Sequence, residues 1–257
     1  MTLESYPQPL IFAHRGASTE APENTLAAFE LALEHGADAL ELDAKLSRDG
    51  TAIVIHDTTV DRTTGAHGRV KDMTLAQLRA LDAGSFKAAR FHSEKIPLLE
   101  EVFEVLGRRA FINVELTNYN SPNDHLVETV CMLVKKFNLQ NRVLFSSFYS
   151  RNLKHARGLL PEVPCGLLAM PGLLGAWARS FGFTFGPYAA THPSLKDATA
   201  QQVQRAHRLK RRIFVWTVND AEDMRRLFGW GVDGIITDDP RLAVQVRDSH
   251  KGEIQGA

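Results

Sequence analysis

The sequence predicts an α/β fold, a (β/α)8 or TIM barrel with a small insertion after the second strand. Runs rich in β-branched and aromatic residues alternate with amphipathic helical stretches over the whole length, as in parallel strands joined by helical crossovers. Eight pairs of strand and helix can be counted. The length of 257 residues is ordinary for one such barrel, so we expect a single domain, 1–257.

The alternating patterns place the elements in order. The predicted strands lie near residues 10–13, 39–44, 111–116, 143–146, 164–168, 188–191, 213–216 and 234–236. The predicted helices cover roughly 25–34, 98–106, 125–137, 151–159, 174–181, 198–209, 221–228 and 240–247. The first helix follows Pro22-Glu23-Asn24-Thr25, which is typical of a rigid turn with an asparagine cap. The polar tail from Ser249 is expected to be frayed.

One segment departs from the strand and helix rhythm. Arg48-Asp49-Gly50 is a turn signal between the second strand and a further β run at 52–55, which predicts a hairpin. The hairpin leads into an inserted subdomain, about 57–96, with a predicted helix at 75–81. An insertion at this point of a barrel should lie over one rim.

The bulk composition restricts the kind of partner. Thirty basic and thirty acidic residues cancel, which gives no electrostatic reason to expect nucleic acid or an anionic membrane and favours a small charged substrate. Met1 to Gln8 carry no Lys or Arg, and the apolar run 10–13 is far shorter than a signal-peptide core or a membrane span. We therefore expect a cytoplasmic protein without membrane insertion; the oligomeric state stays open.

Cysteine and most histidines give no sign of chemistry. Cys131 and Cys165 lie far apart without a Cys-x-x-Cys pairing, so we expect both to be buried and inert. Several histidines fall on predicted helices or the tail and are expected at the surface: His35, His155, His207 and His250.

The polar residues of interest fall where the predicted strands end. In a barrel, catalytic residues gather at the carboxyl ends of the strands. The residues at these ends are His14, Arg15, Glu41, Asp43, Glu115, Ser147, Trp216, Thr237 and Asp238. Structural polar residues would fall at both ends of the barrel, so this one-sided distribution predicts an active site.

Paired carboxylates predict a metal site. Glu41 and Asp43 are two apart in a strand, so both face the barrel interior, and burying them together is unfavourable without a cation. An Arg or Lys partner in a structural network is the alternative. Glu115 has the same setting in the third strand. An all-oxygen set suits Mg²⁺ or Ca²⁺ and argues against zinc.

His14 and His56 lie beside these carboxylates, and imidazole titrates where a proton shuttle must at neutral pH. Each histidine taken alone could equally be a solvated or capped side chain. Arg15 can bind phosphate through two parallel donors, or can form an ion pair with Glu41 or Glu23.

These clusters together resemble the glycerophosphodiester phosphodiesterase family, bacterial cytoplasmic type. The matching motifs are His14-Arg15-Gly16, Pro22-Glu23-Asn24-Thr25, Glu41-Leu42-Asp43, His56-Asp57, Asn113-Val114-Glu115-Leu116, Ser146-Ser147-Phe148, Trp216-Thr217-Val218-Asn219 and the run from Val232 to Asp238. The resemblance implies metal-dependent hydrolysis of glycerophosphodiesters to glycerol 3-phosphate and an alcohol. It also implies one divalent ion on Glu41, Asp43 and Glu115, with His14 and His56 as general acid and base. Which histidine is the acid, and whether water or the substrate 2-hydroxyl attacks, stay open.

Two features of the substrate site stay open as well. The family usually places a Lys two residues after the third-strand Glu, where this chain has Thr117; Lys45 could substitute for it or be a rim residue. Trp216, with Phe86 and Phe91, could form an apolar wall beside the glycerol, or Trp216 could simply pack on the barrel top.

Two other functions remain as alternatives: a phospholipase D-like lyase acting on lysophospholipids, and a non-catalytic phosphoester-binding barrel. The first would need a lipid-facing surface. Leu173, Leu174 and Trp177 are read as a core or rim helix face, with membrane contact as the alternative.

Overall fold

A computed structural model describes residues 8–255 of the chain, with side chains to residue 252. It contains a closed barrel of eight parallel strands, which confirms the predicted fold class. The strands are β1 (Leu10–His14), β2 (Ala39–Leu46), β3 (Ala52–Val54), β4 (Phe111–Leu116), β5 (Val143–Ser147), β6 (Cys165–Ala169), β7 (Ala190–Pro193), β8 (Arg212–Val215) and β9 (Gly234–Thr237). β3 alone lies outside the ring, antiparallel to the end of β2, as the predicted hairpin requires.

Helices cover the outside of the barrel, and two short ones lie in the inserted segment. They are α1 (Leu26–Glu34), α2 (Asp61–Thr64), α3 (Leu75–Ala80), α4 (Leu99–Leu106), α5 (Leu126–Lys136), α6 (Ser150–Leu159), α7 (Phe183–Phe185), α8 (Ala200–Arg208), α9 (Ala221–Trp230) and α10 (Pro240–Gln255). The outward strand residues pack against them in one large apolar core.

The barrel interior changes from apolar to polar along β1, β2 and β4. Its lower part is filled by a separate apolar cluster that includes Phe12, whose ring lies 4.9 Å from that of Phe214. Because alternate residues of a strand share a face, the inward positions of β2 run from Ala39 through Glu41 to Asp43. The carboxylates therefore lie above the apolar filling, at the carboxyl ends of the strands.

The segment between β3 and α4 forms a cluster of short helices with its own apolar centre, which includes Val60, Val70 and Leu78. α3 begins at a capping box, because Gln77 N donates to Thr74 Oγ1 at 3.3 Å and Thr74 N donates to Gln77 Oε1 at 2.9 Å. The cluster touches the loop after β1, since Lys87 Nζ donates to the Ser18 carbonyl at 2.7 Å. It therefore lies on the same side of the barrel as the strand ends.

Several sequence expectations need correction. Thr25 caps α1, because its hydroxyl accepts from Ala28 N, whereas Asn24 reaches into the site instead. The segment expected as a helix at 174–181 is irregular, with a 3₁₀ turn at Gly172–Gly175 and a π turn at Ala178–Gly182 before α7. α10 continues to Gln255, beyond the expected fraying point at Ser249.

The expectation for the two cysteines is confirmed, and the expectation for His35 is wrong. Cys131 and Cys165 are buried, as expected, and burial raises the pKa of each thiol to about 12. His35 was expected at the surface, yet its side chain is only 7% exposed. The absence of basic residues in Met1 to Gln8 concerns positions that, apart from Gln8, lie outside the described residues. No helix in the described range is long and apolar enough to cross a membrane.

Candidate active site

Three carboxylates meet where β2 and β4 end. Asp43 lies opposite Glu115 in the register of the two strands, and Glu41 is one inward position below. One oxygen of each lies within 4.8 Å of the other two. Burial, and then the neighbouring carboxylates, raise the pKa of Glu41 well above its ordinary value. Burial followed by the charge of Asp43 raises the pKa of Glu115 to about 8. Two of the three groups are therefore costly to ionise unless a cation is present.

Arg15 compensates part of this charge. Its Nη1 donates to Glu23 Oε1 at 2.9 Å, and its Nε lies 3.3 Å from Asp43 Oδ2 as an ion pair. Asn24 Nδ2 also donates to Asp43 Oδ2 at 2.9 Å. Burial alone would raise the pKa of Asp43, but the charge of Arg15 and these contacts hold it below its ordinary value. Both sequence alternatives for Arg15 stay compatible, since it pairs with Glu23 and still borders the cavity.

The loop after β1 holds Arg15 in an uncommon backbone conformation. Arg15 has φ 57°, in the left-handed region, and Gly16 follows with φ 87°. A Cβ at Gly16 would lie 2.6 Å from the backbone carbon of Ala28, so no other residue fits there. Two contacts fix the loop: Arg15 N donates to the Glu41 carbonyl at 3.0 Å, and Asn24 N donates to the Arg15 carbonyl at 2.9 Å. The His-Arg-Gly motif therefore has a geometric reason.

His14 is oriented by a carboxylate from the other end of the chain. Its Nδ1 lies 2.6 Å from Asp238 Oδ1, and its Nε2 lies 4.0 Å from Glu41 Oε2. Because a carboxylate only accepts, Nδ1 carries the proton and Nε2 faces the carboxylate cluster. Partial burial alone would raise the pKa of Asp238, but the hydrogen bond from His14 lowers it to about 2.

His56 is oriented in the same way by its neighbour. Its Nδ1 lies 2.7 Å from Asp57 Oδ1, and Arg62 Nε donates to Asp57 Oδ2 at 2.8 Å. Arg62 also donates two bonds to Glu23, at 2.6 and 2.8 Å. Burial alone would raise the pKa of Asp57, but the hydrogen bonds from Arg62 and His56 lower it to about 2. Arg62 thus connects the carboxylate that holds His56 with the one that holds Arg15.

Glu115 has its own positioning partner. The Tyr119 hydroxyl donates to Glu115 Oε1 at 2.7 Å, and Phe148 N donates to the Tyr119 oxygen at 3.0 Å. Burial, followed by the charge of Glu115, raises the pKa of Tyr119 well above its ordinary value, so the phenol stays a donor.

Lys45 contacts the residue that replaces the family lysine. Its Nζ donates to Thr117 Oγ1 at 2.7 Å and to the Thr117 carbonyl at 3.1 Å. Lys45 lies in β2, and Thr117 follows the adjacent strand β4. The hydrogen bonds therefore hold the Lys45 ammonium next to Thr117. Burial lowers the pKa of Lys45, while Asp43, Glu115 and Asp57 act in the opposite direction. Lys45 borders a second cavity of about 320 Å³ together with Thr58, Arg69 and Lys71.

The cavity at the carboxylates has a volume of about 170 Å³ and two unlike halves. His14, Arg15, Glu41, Glu115 and His56 form its polar half. Its apolar half is formed by Phe148, Leu168, Trp216 and Ile236. Trp216 lies one residue after β8, where it lines the cavity and donates from Nε1 to the His192 carbonyl at 2.8 Å, so contact with the glycerol and packing on the barrel top both stay open. Phe86 and Phe91 of the inserted segment do not line it.

The sequence predicts the reactive side chains of the site but not the residues that position them. Asp238 and Asp57 lie in motifs shared with the family, but the sequence assigns them no role of their own. Arg62 and Tyr119 carried no recognisable signal. Nothing in the sequence distinguishes His192, which is fully buried in the barrel, with neither ring nitrogen hydrogen-bonded to any described residue.

The donor set fits a hard divalent cation. All three candidate ligands are carboxylates, which suits Mg²⁺ or Ca²⁺ better than zinc. Asn113 Oδ1 is a further buried oxygen without a partner in the described residues, and Asn113 lines the same cavity. The raised pKa values of Glu41 and Glu115 indicate the same need for a positive charge at this place.

Comparison with known proteins gives one consistent result. The sequence matches the model of the "Glycerophosphoryl diester phosphodiesterase family" over residues 14–242. A glycerophosphodiester phosphodiesterase of Caldanaerobacter subterraneus subsp. tengcongensis is 40% identical, over 92% of this chain and 97% of its own length. One of Bacillus altitudinis is 38% identical, over 94% of this chain and 99% of its own.

Solved structures agree with these relatives. An Oleispira antarctica phosphodiesterase, solved in complex with the product sn-glycerol-3-phosphate, superposes with a TM-score of 0.87 at 31% identity. The match covers 96% of this chain and all of the other. A glycerophosphodiester phosphodiesterase of Agrobacterium tumefaciens superposes with a TM-score of 0.79 at 29% identity, over 92% of this chain and 99% of the other.

Proposed function

We propose that the chain, which belongs to the glycerophosphoryl diester phosphodiesterase family, hydrolyses glycerophosphodiesters to glycerol 3-phosphate and an alcohol with the help of a divalent metal ion. The observation that carries the proposal is the group of three carboxylates, two of them buried, with oxygens within 4.8 Å of one another, beside two imidazoles that are each held by an aspartate. The product bound to the Oleispira antarctica relative is consistent with this substrate class.

The metal would be held by Glu41, Asp43 and Glu115, and Mg²⁺ and Ca²⁺ both suit the set. When bound, such an ion neutralises phosphoryl oxygens and makes a bound water more acidic. Arg15 adds parallel N–H donors to the same oxygens, and Glu23 and Asp43 keep its guanidinium in place. The polar half of the cavity thereby holds the phosphodiester.

His14 and His56 are the proposed general acid and base. In each, Nδ1 donates to an aspartate, so Nε2 is the nitrogen that exchanges a proton with the substrate. One takes the proton of the attacking hydroxyl, from water or from the substrate 2-hydroxyl, and the other protonates the leaving alkoxide. The apolar half of the cavity, with Trp216, would contact the glycerol carbons.

The decisive experiment measures release of glycerol 3-phosphate from glycerophosphocholine before and after chelation. Exhaustive chelation should reduce the rate by about 10²-fold or more, and added Mg²⁺ or Ca²⁺ should restore it. Asp43→Asn should be slow in either condition, while circular dichroism checks that it is folded. Full activity of the chelated protein would remove the metal from the mechanism, and absence of turnover with every metal would favour a binding protein.

A further inference from the structure

The segment after β6 exposes five large apolar side chains and buries small residues between them, while one of its aromatic residues, Phe183, is buried. Five residues form what we call the apolar stripe: Leu173, Leu174, Trp177, Phe181 and Phe185, which are 93%, 83%, 58%, 66% and 77% exposed. Between them, Gly175, Ala178 and Gly182 face inward and are buried. At 150–250 Å² per large aromatic side chain, the stripe exposes roughly 600 Å², at or above the largest apolar patch of a typical monomer.

The stripe lies in the most basic part of the chain. Residues 151–212 contain ten of the thirty basic residues but only two of the thirty acidic ones, Glu162 and Asp197. Six of these cations are exposed and form no ion pair with any carboxylate that the structure describes: Arg151, Lys154, Arg157, Lys196, Arg208 and Lys210. The zero net charge of the chain therefore conceals a strongly basic sector.

Cations lie at both ends of the stripe. At the lower end, Arg157, Lys210 and Arg211 line an open concavity of about 380 Å³ together with Pro187, and Glu162 lines it as well. The Arg211 guanidinium lies over the Phe183 ring, 5.1 Å from its centroid, inside the segment itself. At the upper end, Lys196 is next to Asp197, whose carboxylate accepts from Gly172 N at 2.8 Å.

We propose that the apolar stripe and the cations around it form a docking surface for an anionic phospholipid bilayer. Exposed Trp, Phe and Leu beside Lys and Arg are the combination that binds the interface of such a membrane, because apolar insertion and electrostatic attraction act together. A second copy of the chain fits less well, since a two-fold contact through the stripe would bring the same unpaired cations against each other.

The proposal does not depend on the proposed function, but it has a consequence for it. The upper end of the stripe follows Ala169, the last residue of β6, and Leu168 of that strand lines the cavity at the carboxylates. A docked molecule would therefore hold one side of its active-site rim near the lipid surface.

Co-sedimentation with vesicles tests the proposal. The full chain should bind vesicles of phosphatidylcholine mixed with phosphatidylglycerol, bind pure phosphatidylcholine much more weakly, and dissociate as salt is raised. Trp177→Ala combined with Phe181→Ala should weaken binding at least about tenfold, because two inserted rings are lost. Arg157→Glu combined with Lys210→Glu, at the lower end of the stripe, should weaken it by about fivefold or more for each cation removed.

Matched substitutions outside the sector are the controls. Met132→Ala removes an apolar side chain that is 59% exposed on α5, and Lys135→Glu reverses a cation there. Both should bind vesicles like the unchanged protein, and all four variants should hydrolyse soluble glycerophosphocholine at the same rate. No binding to anionic vesicles, or binding that the stripe variant leaves intact, would overturn the proposal. So would a concentration-dependent dimer that the stripe variant abolishes while vesicles are not bound.

Discussion

At the scale of single residues, each reactive side chain of the site is hydrogen-bonded to a second polar side chain that positions it. His14 is held by Asp238, His56 by Asp57, Arg15 by Glu23, and Glu115 by Tyr119. Each of these side chains uses one atom to bond its protein partner and leaves another atom free towards the cavity. This geometry gives two residue-scale predictions.

The first prediction separates the two histidines. His14→Ala and His56→Ala should each lower kcat by about 10²-fold or more, the usual effect of losing a general acid or base. A substrate with an activated leaving group, such as the nitrophenyl diester of glycerol phosphate, needs little protonation. It should therefore rescue only the variant that lacks the acid.

The measurement is kcat for both variants on both substrates. His155→Ala is the control, because that side chain is 47% exposed on α6, outside the site, and its loss should change neither rate. Small and equal losses on both substrates would exclude the two histidines from proton transfer.

The second prediction concerns Lys45, a residue of the neighbouring strand whose ammonium group contacts Thr117. If its ammonium has taken over the role of the family lysine, Lys45→Ala should raise KM for anionic diesters about tenfold, because a charged donor to phosphate contributes about 1.5–3 kcal/mol. Thr117→Lys should partly restore binding in the double variant. Steady-state kinetics on glycerophosphocholine measures both, with Lys135→Ala as the control. No change in either variant would place position 117 away from the phosphate.

At the scale of elements, strand order brings the catalytic groups together, and the inserted segment positions and surrounds them. Its Arg62 reaches both Glu23 and Asp57, and its residues Thr58, Arg69 and Lys71 border the second cavity beside Lys45. The sequence predicted the position of this segment on the rim, whereas its contribution of a cation to the site could not be read from spacing. We propose that the segment, about 57–96, sets the preference for the alcohol head group.

Point substitutions test this without disturbing the fold of the segment. Arg69 and Lys71 are exposed and form no ion pair among the described side chains, so Arg69→Ala with Lys71→Ala should leave stability unchanged. The loss of two cations should lower kcat/KM for glycerophosphoserine relative to glycerophosphocholine by about fivefold or more. Arg90→Ala, elsewhere in the segment, is the control. An unchanged ratio would show that the second cavity does not receive the head group.

At the scale of the whole molecule, the sequence predicted what depends on local pattern and missed what depends on three-dimensional distribution. The barrel and the strand ends followed from periodicity and position, and the family resemblance implied that Glu115 joins Glu41 and Asp43 in one cluster. The pairing of His14 with Asp238 joins residues 224 positions apart, and only closure of β9 onto β1 brings them together. The basic sector was hidden because the opposite charges lie elsewhere in the chain and cancel it in the total.

His192 is the clearest case of such a missed feature. It points into the barrel from β7, with its ring centroid 5.3 Å from that of Phe214, and a Cβ at Gly166 would lie 2.2 Å from its Nε2. The glycine thus provides the space for the ring. Burial lowers the pKa of His192 to about 3, so the folded protein keeps the imidazole neutral.

This burial links folding to pH. An unfolded chain protonates the imidazole below pH of about 6.5, whereas the folded chain does so only near its lowered pKa. Between these values unfolding takes up a proton, so His192 makes stability fall with decreasing pH, by up to about 1.4 kcal/mol per pH unit.

His192→Leu removes this linkage and should gain stability relative to the unchanged protein as the pH falls from 6 to 4. Urea unfolding at several pH values measures the difference, and His125→Leu, at a side chain that is 85% exposed, should follow the unchanged protein. Parallel stability curves for His192→Leu and the unchanged protein would mean that the imidazole is already charged in the folded barrel.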